Sequence, residues 1–338
     1  MQLTQKKSRR GDLLTAAAVA MLLAVMAALL YTGSLTRQVT NMLIPTAVYI
    51  VMAVSLNLVV GLLGELSLGH AGFMSVGLFS GCLVAIALTN TALPLMVRLP
   101  VSMLAGGLTA AVFGLLVGLP TLRLRGDYLA IVTLACGEII KNIITNLRVT
   151  GGALGLNTSA IYAGAKELLP YGAALVLLTV AVMLNLKRSK YGRAIMAIRD
   201  NRIAAESVGL SVTRYKLAVF VIAAFFAGCA GVLYGHSLAN IKAAAFDYNM
   251  SIEILVIVVL GGMGSVPGSV VSAIVLTVLP EALREVADYR MLVYAVVLIL
   301  VMQATNNPAM KRFFGAACKS LTPKRKERAA LWQQKQSW

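Results

Sequence analysis

The feature that most constrains this chain is a succession of apolar segments, each about 20 residues long, separated by short polar intervals. A helix rises about 1.5 Å per residue, so segments of this length can cross the hydrocarbon core of a bilayer. Apolar residues make up 59% of the 338 residues and charged residues 13%, whereas soluble domains carry about 25% charged residues. The sequence predicts an all-α, polytopic helical membrane protein with about ten hydrophobic segments, some interrupted or re-entrant.

The first apolar segment follows a basic N-terminus, as in a signal peptide. Its run is longer than the roughly 7 to 15 residues of a signal-peptide core, so we expect an uncleaved first span. In chain order, the predicted spans cover residues 13–31, 42–60, 71–88, 101–119, 128–147, 170–186, 217–236, the interrupted pair 252–262 and 269–282, and 291–304.

Cation clusters predict the orientation, because cytoplasmic loops of membrane proteins carry an excess of Lys and Arg. The interval 187–216 is strongly basic and contains only two acids, Asp200 and Glu206. We therefore expect a cytoplasmic N-terminus at 1–12, a transmembrane domain at 13–305 with a cytoplasmic loop at 187–216, and a basic cytoplasmic tail at 306–338. The loops expected outside carry only isolated cations, such as Arg37, Arg98, Arg148, Lys166 and Lys242.

Within the basic interval, the sequence predicts a short helix from Arg202 to Val208. Asp200 or Asn201 can cap its first turn, and Gly209 can end it in a left-handed conformation. Ala204, Ala205 and Val208 then lie at helical spacing and form a face of small side chains. Such a face permits close docking into a groove of a partner, whereas the alternative is a solvated loop whose charges only set the topology.

One pair of charges lies inside a predicted span. Glu138 and Lys141 are three residues apart, so they share a helix face and can form an ion pair. An unpaired charge at the centre of a membrane helix costs about 2.5 to 3.5 kcal/mol on insertion scales. The pair can line a translocation path, or it can be a purely structural ion pair.

Two glycine-rich intervals interrupt the apolar pattern, GELSLGHAG at 64–72 and GGMGSVPG at 261–268. Interrupted helices can form a site for a zwitterion, with helix N-termini toward its carboxylate and free carbonyls toward its ammonium. The alternative is an ordinary turn, and a lone intramembrane histidine is often a structural residue. The candidate path residues are Gly64, Glu65, Gly69, His70, Glu138, Lys141, Gly261, Gly262 and Gly264.

Other chemistry finds little support in the sequence. The cysteines lack C-x-x-C spacing, the spans lack a clustered nucleophile or acid–base pair, and the 261–268 interval lacks the nucleotide-binding patterns. The net charge of +17 indicates anionic lipid as a partner rather than nucleic acid. A transporter or channel fits better than an enzyme, and a secondary transporter or channel would not need a docking helix in the basic interval.

Four blocks of sequence resemble the permease subunits of branched-chain amino acid ABC transporters, the LivM type, and together they cover over half of the chain. Their order and spacing fit the family. The blocks are SLNLVVGLLGELSLGHAGFMSVG, PTLRLRGDYLAIVTLACGEII, YGRAIMAIRDNRIAAESVGLSVTRYKLAVFVIAAFFAGCAGVLYG and SIEILVIVVLGGMGSVPGS.

The resemblance implies that a coupling motif for the ATPase stands at Arg199, Asp200, Ile203, Ala204, Ala205 and Gly209, although Ile203 replaces the acidic first position of the general motif. It further implies a multi-pass protein of the bacterial plasma membrane that imports hydrophobic L-amino acids, with related urea and short-chain amide importers as the alternative. The implied partners are a second homologous permease, two cytoplasmic ATPases that bind the ATP, and an extracytoplasmic binding protein. No cofactor is expected on this chain.

Overall fold

The computed structural model describes residues 17–28, 30, 32, 36–89, 94–124 and 126–282, and these residues are almost entirely helical. The helices are, in chain order, α1 (17–28), α2 (Arg37–Asn57), α3 (His70–Thr89), α4 (Leu95–Thr121), α5 (Asp127–Asn146), α6 (Ala165–Arg188), α7 (Lys190–Asp200), α8 (Arg202–Ser207), α9 (Val212–His236), α10 (Tyr248–Gly261) and α11 (Val266–Ala282). A π-helical turn, Leu58–Leu63, continues α2, and short 3₁₀ turns cover Gly152–Leu154 and Ala243–Ala245. Seven helices of the described chain are long and apolar enough to cross a membrane, so the polytopic helical fold is confirmed.

Several helices begin earlier than the sequence predicted. We placed helix starts at Val101 and Pro170, but α4 begins at Leu95 and α6 at Ala165. Pro100 and Pro170 both lie in the second turn of their helices, where a proline removes only one backbone hydrogen bond. Membrane helices tolerate such prolines because neighbouring groups can satisfy the freed carbonyl.

Three helices of the bundle, α3, α4 and α9, approach one another closely through glycines. A methyl group on Gly77 of α3 would collide with the backbone of Gly228 in α9, and one on Gly106 of α4 would collide with the carbonyl of Gly77. Lipid supplies no hydrophobic drive between helices, so close backbone packing of this kind holds membrane bundles together.

The two ends of α6 define two ends of the bundle. At one end, which we call the hairpin end, β1 (Leu156–Asn157) pairs antiparallel with β2 (Asn240–Ile241). At the other, the helix-pair end, α7 and α8 follow α6 directly. The sequence predicted α8 but not α7, although Ser189 caps α7 by accepting a hydrogen bond from the Gly192 N–H at 3.0 Å.

Some predictions lie outside the described residues or only partly within them. The first predicted span is described only in part, where α1 is helical. The segment 1–12, the predicted span 291–304 and the tail 306–338 are outside the described residues. The orientation of the bundle stays a prediction.

Candidate functional site

The first helix break lies where α2 ends. Its π turn stops at Gly64, which adopts a left-handed φ of 78°, and residues 64–69 then run without regular structure to α3. A π turn carries one extra residue per turn and often marks a functional site. The predicted interruption at 64–72 is therefore present, although its last residues, from His70 onward, already belong to α3.

The second break joins α10 to α11, and it packs directly on the first. Gly262 and Gly264 adopt φ angles of 86° and 81°, which favour glycine. Asn57, at the start of the π turn, accepts a hydrogen bond from the Gly264 N–H at 2.7 Å and donates to the Ser269 hydroxyl at 2.8 Å. Gly261 packs on the backbone of Gly268. The structure thus places the 261–268 interval against the π turn that leads into the 64–72 interval, about 200 residues earlier in the sequence.

Two cations from the basic interval reach these breaks at the helix-pair end. The Lys187 ammonium donates to the Gly264 carbonyl at 2.9 Å, and the Arg199 guanidinium donates to the Gly61 carbonyl at 3.0 Å. Arg199 also donates to the Asp200 carboxylate at 3.0 and 3.1 Å. These long-range contacts could not be predicted from the sequence, because neither cation lies near a break along the chain.

Farther into the bundle, the unwound segment 64–69 contacts α5. Gly69 lies against the backbone of Thr133, where a Cβ would stand 2.6 Å from the carbonyl oxygen. The Leu68 N–H donates to the Thr133 hydroxyl at 3.0 Å, and the Ala71 N–H donates to the Ser251 hydroxyl of α10 at 3.2 Å. The N-terminal ends of α3 and α10 therefore meet near the middle of α5.

The predicted ion pair of Glu138 and Lys141 is present on α5. Glu138 also accepts a hydrogen bond from the Tyr248 N–H, the first residue of α10, at 2.9 Å. A carboxylate is favoured at a helix N-terminus because the free N–H groups and the helix dipole are positive there. The protein's own carboxylate thus occupies a position at the N-terminus of α10.

Two other candidate residues are held inside the chain. His70 is fully buried, and its Nε2 lies 2.8 Å from the Ser55 hydroxyl. Glu65 forms an ion pair with Lys216 of α9, and both side chains are largely buried. The structure therefore gives His70 and Glu65 packing partners, so neither lies on an open surface.

The short helix of the basic interval has the predicted cap and stop. Asn201 accepts a hydrogen bond from the Ala204 N–H at 3.0 Å, and Gly209 has a φ of 86°. The predicted docking face is wrong at Ala205, which is only 5% exposed and packs in a cluster with Ile198 and Val212.

The exposed surface of α8 is larger and more apolar than the sequence indicated. Ile203 and Val208 are each 81% exposed, and Ala204 is exposed between them. The prediction assigned Ala205 to the outside because helical spacing alone does not reveal which side packs on α7 and α9. We name the surface formed by Ile203, Ala204 and Val208 the α8 apolar patch.

Sequence reasoning missed one intramembrane acid. Glu253 of α10 accepts a hydrogen bond from the Tyr49 hydroxyl at 3.2 Å, and both residues are half-buried. Among the described residues, no group of three His, Cys, Asp or Glu side chains could hold a metal ion.

These features define an integral membrane protein of the permease class, with helix breaks inside the bundle and surface helices at one end. The family model for the permease component of branched-chain amino acid transport systems matches residues 38–302, and the chain belongs to this family. No solved structure matches the chain.

Characterised relatives agree with this family. The chain is 37% identical over 290 residues to the high-affinity branched-chain amino acid permease protein LivM of Escherichia coli K12, and 36% identical over 296 residues to that of Salmonella typhimurium. Each match covers 76% of this chain and 66% of the relative, so the chain spans just under two thirds of their length. It is also 30% identical over 126 residues to LivH of Escherichia coli K12, a match that covers 36% of this chain and 40% of LivH.

Proposed function

We propose that this chain is a permease subunit of an ABC importer that moves branched-chain L-amino acids across the plasma membrane. The observation that carries the proposal is the uncovered face of α5, which presents an ion pair and amides in a helix long enough to cross the membrane. Charged groups in a membrane helix face protein or water rather than lipid. A second permease that faces α5 would enclose these groups and leave a path between the two subunits.

The chemistry of this face suits an amino acid. Glu138 and Lys141 retain 27% and 19% of their side-chain exposure, so both can reach a ligand. A carboxylate and an ammonium complement the two charged ends of a zwitterion. Ile139 and Ile143 are exposed beside them and offer apolar surface for a branched side chain. Asn142 and Asn146 add polar groups on the exposed side.

The α8 apolar patch supports a cytoplasmic partner. An apolar surface on a short helix beside basic residues fits into a groove of another protein. We propose that this partner is one of two ATPases, which bind and hydrolyse the ATP, whereas this chain catalyses no reaction. Arg199 is hydrogen-bonded to the Gly61 carbonyl and Ala205 is buried, so we assign the docking contacts to Ile203, Ala204 and Val208.

The proposed substrate and the other proposed partners are inferred from the named relatives. LivM and LivH are named as two permease proteins of branched-chain amino acid transport systems, so this chain would pair with a second, homologous permease. An extracytoplasmic binding protein would deliver the substrate. Leucine, isoleucine and valine are the substrates we propose, and importers of urea or short-chain amides are the competing possibility.

Uptake by the whole reconstituted system tests the proposal. The genes that neighbour this one should encode the second permease, the ATPases and the binding protein. Vesicles that contain the complex should take up labelled leucine when ATP and the binding protein are supplied on opposite sides. Excess isoleucine and valine should compete, whereas excess urea or acetamide should not. Uptake of urea without uptake of leucine would overturn the substrate assignment.

A further inference from the structure

The Arg199 side chain reaches the π turn that ends α2, while 41% of it stays exposed at the helix-pair end. Its Nη1 donates to the carbonyl oxygen of Gly61 at 3.0 Å, while its Nε and Nη2 donate to Asp200. A guanidinium with one carboxylate partner and one carbonyl partner has a fixed orientation, because its donors lie in a rigid plane. Arg199 therefore joins the end of α7 to the π turn that ends α2.

Gly61 leaves no free space between the π turn and the second break. A methyl group on Gly61 would collide with the side-chain amide oxygen (Oδ1) of Asn57 and with the backbone nitrogen of Gly264. Packed backbone without intervening side chains has little compressibility, so a shift of Gly61 must also shift Gly264. The hydrogen bond from the Gly264 N–H to Asn57, at 2.7 Å, fixes the same contact.

Lys187 holds the second break from the opposite direction. Its ammonium donates to the Gly264 carbonyl at 2.9 Å, and Lys187 lies in the last turn of α6, directly before α7. The last turn of α6 is thus bonded through Lys187 to the second break, and the last turn of α7 is bonded through Arg199 to the π turn before the first break. A rotation of α7 relative to the bundle would stretch the Arg199 hydrogen bond, and a movement that also carries the end of α6 would stretch the Lys187 hydrogen bond.

We propose that Arg199 is a positioning residue that transmits movement of the helix pair α7–α8 to both helix breaks through the carbonyl of Gly61. This inference rests on the proposed function, since the movement is the one that the ATPases would impose. A π turn can change to an α turn by moving a single residue of register, so it provides an element that Arg199 can bias between two states. Arg199 acts in coupling without contacting the ATPase.

The first test measures substrate transported per ATP hydrolysed. Arg199→Ala should leave co-purification of the ATPases unchanged and lower leucine uptake at least 10-fold, while binding-protein-stimulated ATP hydrolysis falls less than 3-fold. Arg199→Lys can still donate to the Gly61 carbonyl, so it should recover part of the substrate transported per ATP. Arg193→Ala is the matched control, because Arg193 is an exposed arginine of α7 that donates to the nearby Arg188 carbonyl.

A second variant tests the contact from its other side. A Cβ on Gly64 would stand 2.6 Å from the Cγ of Arg199, so Gly64→Ala should displace the guanidinium. Gly64→Ala should lower the transport ratio in the parent chain and have little further effect on that ratio in the Arg199→Ala chain. Strain at the left-handed φ of Gly64 would lower the melting temperature equally in both backgrounds, so thermal unfolding separates it from coupling.

The outcomes distinguish this inference from the function on which it rests. If the parent complex does not transport leucine, the proposed function fails. If the parent transports leucine and Arg199→Ala keeps the parent ratio, Arg199 does not couple. If Arg199→Ala loses its ATPases on purification, Arg199 is a docking residue and the inference is overturned. If Gly64→Ala and Arg199→Ala lower the substrate transported per ATP additively, the two residues do not act through the same contact, and the inference is also contradicted.

Discussion

The Glu138 carboxylate accepts a hydrogen bond from the Tyr248 N–H at 2.9 Å, across 110 positions of sequence. The same carboxylate pairs with Lys141. One acid therefore satisfies the first N–H of α10, whose N-cap is Asp247, pairs with an intramembrane cation and lies on the uncovered face of α5. A substrate carboxylate that approached Lys141 would compete with Glu138 for that cation and would loosen the contact between α5 and α10.

Neutralising Glu138 should impair transport more than stability. Glu138→Gln retains an acceptor for Tyr248 but leaves Lys141 without its charge partner, so we expect leucine uptake to fall about 10-fold or more and the unfolding free energy to fall by about 1 to 3 kcal/mol. Uptake per assembled complex and thermal unfolding measure the two effects. Glu167→Gln is the matched control, because Glu167 is an exposed acid in the first turn of α6.

The double variant Glu138→Gln with Lys141→Met separates a structural pair from a path residue. It removes both charges, so it should recover most of the lost stability. If the pair contacts the substrate, uptake should stay low in this variant. Recovery of uptake together with stability would assign the pair to structure alone.

The α8 apolar patch should be needed for ATPase docking. Ile203→Asp places a charge on a side chain that is 81% exposed, so it should leave the fold intact and lower co-purified ATPase at least 10-fold, because desolvating a charge in an apolar groove is costly. Leu154→Asp makes the same change at an exposed leucine of the hairpin end and should retain the ATPase. Equal retention in both variants would place the docking surface elsewhere.

Ala205 should respond differently from Ile203. Ala205→Arg would place a charge inside the cluster with Ile198 and Val212, so we expect lower thermal stability and less protein in the membrane. The amount of inserted protein, measured by quantitative blotting, distinguishes this loss from a docking defect. If the Ala205→Arg chain is inserted and as stable as the parent, Ala205 is not buried in this cluster.

Labelling of single cysteines tests the orientation. In a cysteine-free background, a membrane-impermeant thiol reagent should label Ser159→Cys in intact cells, because Ser159 is exposed at the hairpin end, which we expect outside. Lys190→Cys at the helix-pair end should react only after lysis. Lys190 is preferable to Ser189, whose hydroxyl caps α7. Labelling of Lys190→Cys but not of Ser159→Cys in intact cells would show that the bundle has the opposite orientation.

Much of the fold could be predicted from the sequence because lipid constrains it so strongly. Segment length and hydrophobicity predicted α2 through α6 and α9 through α11, with errors only at their ends. The helix α7 was missed because its cations masked an amphipathic pattern in which Ile195 and Ile198 are buried beside Gly192. Charge predicted the side of the membrane, but it does not reveal local helix formation.

The candidate site was predictable only in its parts. The glycine-rich intervals and the Glu138 and Lys141 pair are local patterns, and the structure contains both. The long-range contacts around the site are not local in sequence: Asn57 reaches Gly264, Arg199 reaches Gly61, and Glu138 reaches Tyr248. A single sequence carries no record of which distant residues meet, and a polar residue such as Asn57 looks like an isolated exception in an apolar segment.

The glycine contacts of the core bear on which parts of the permease can move. Gly77, Gly106 and Gly228 bring three helix backbones so close that sliding one past another would require steric collision. Helices packed in this way turn as one rigid body. We therefore expect α3, α4 and α9 to act as a fixed frame, so that movement during transport falls on α5, α10 and the two helix breaks.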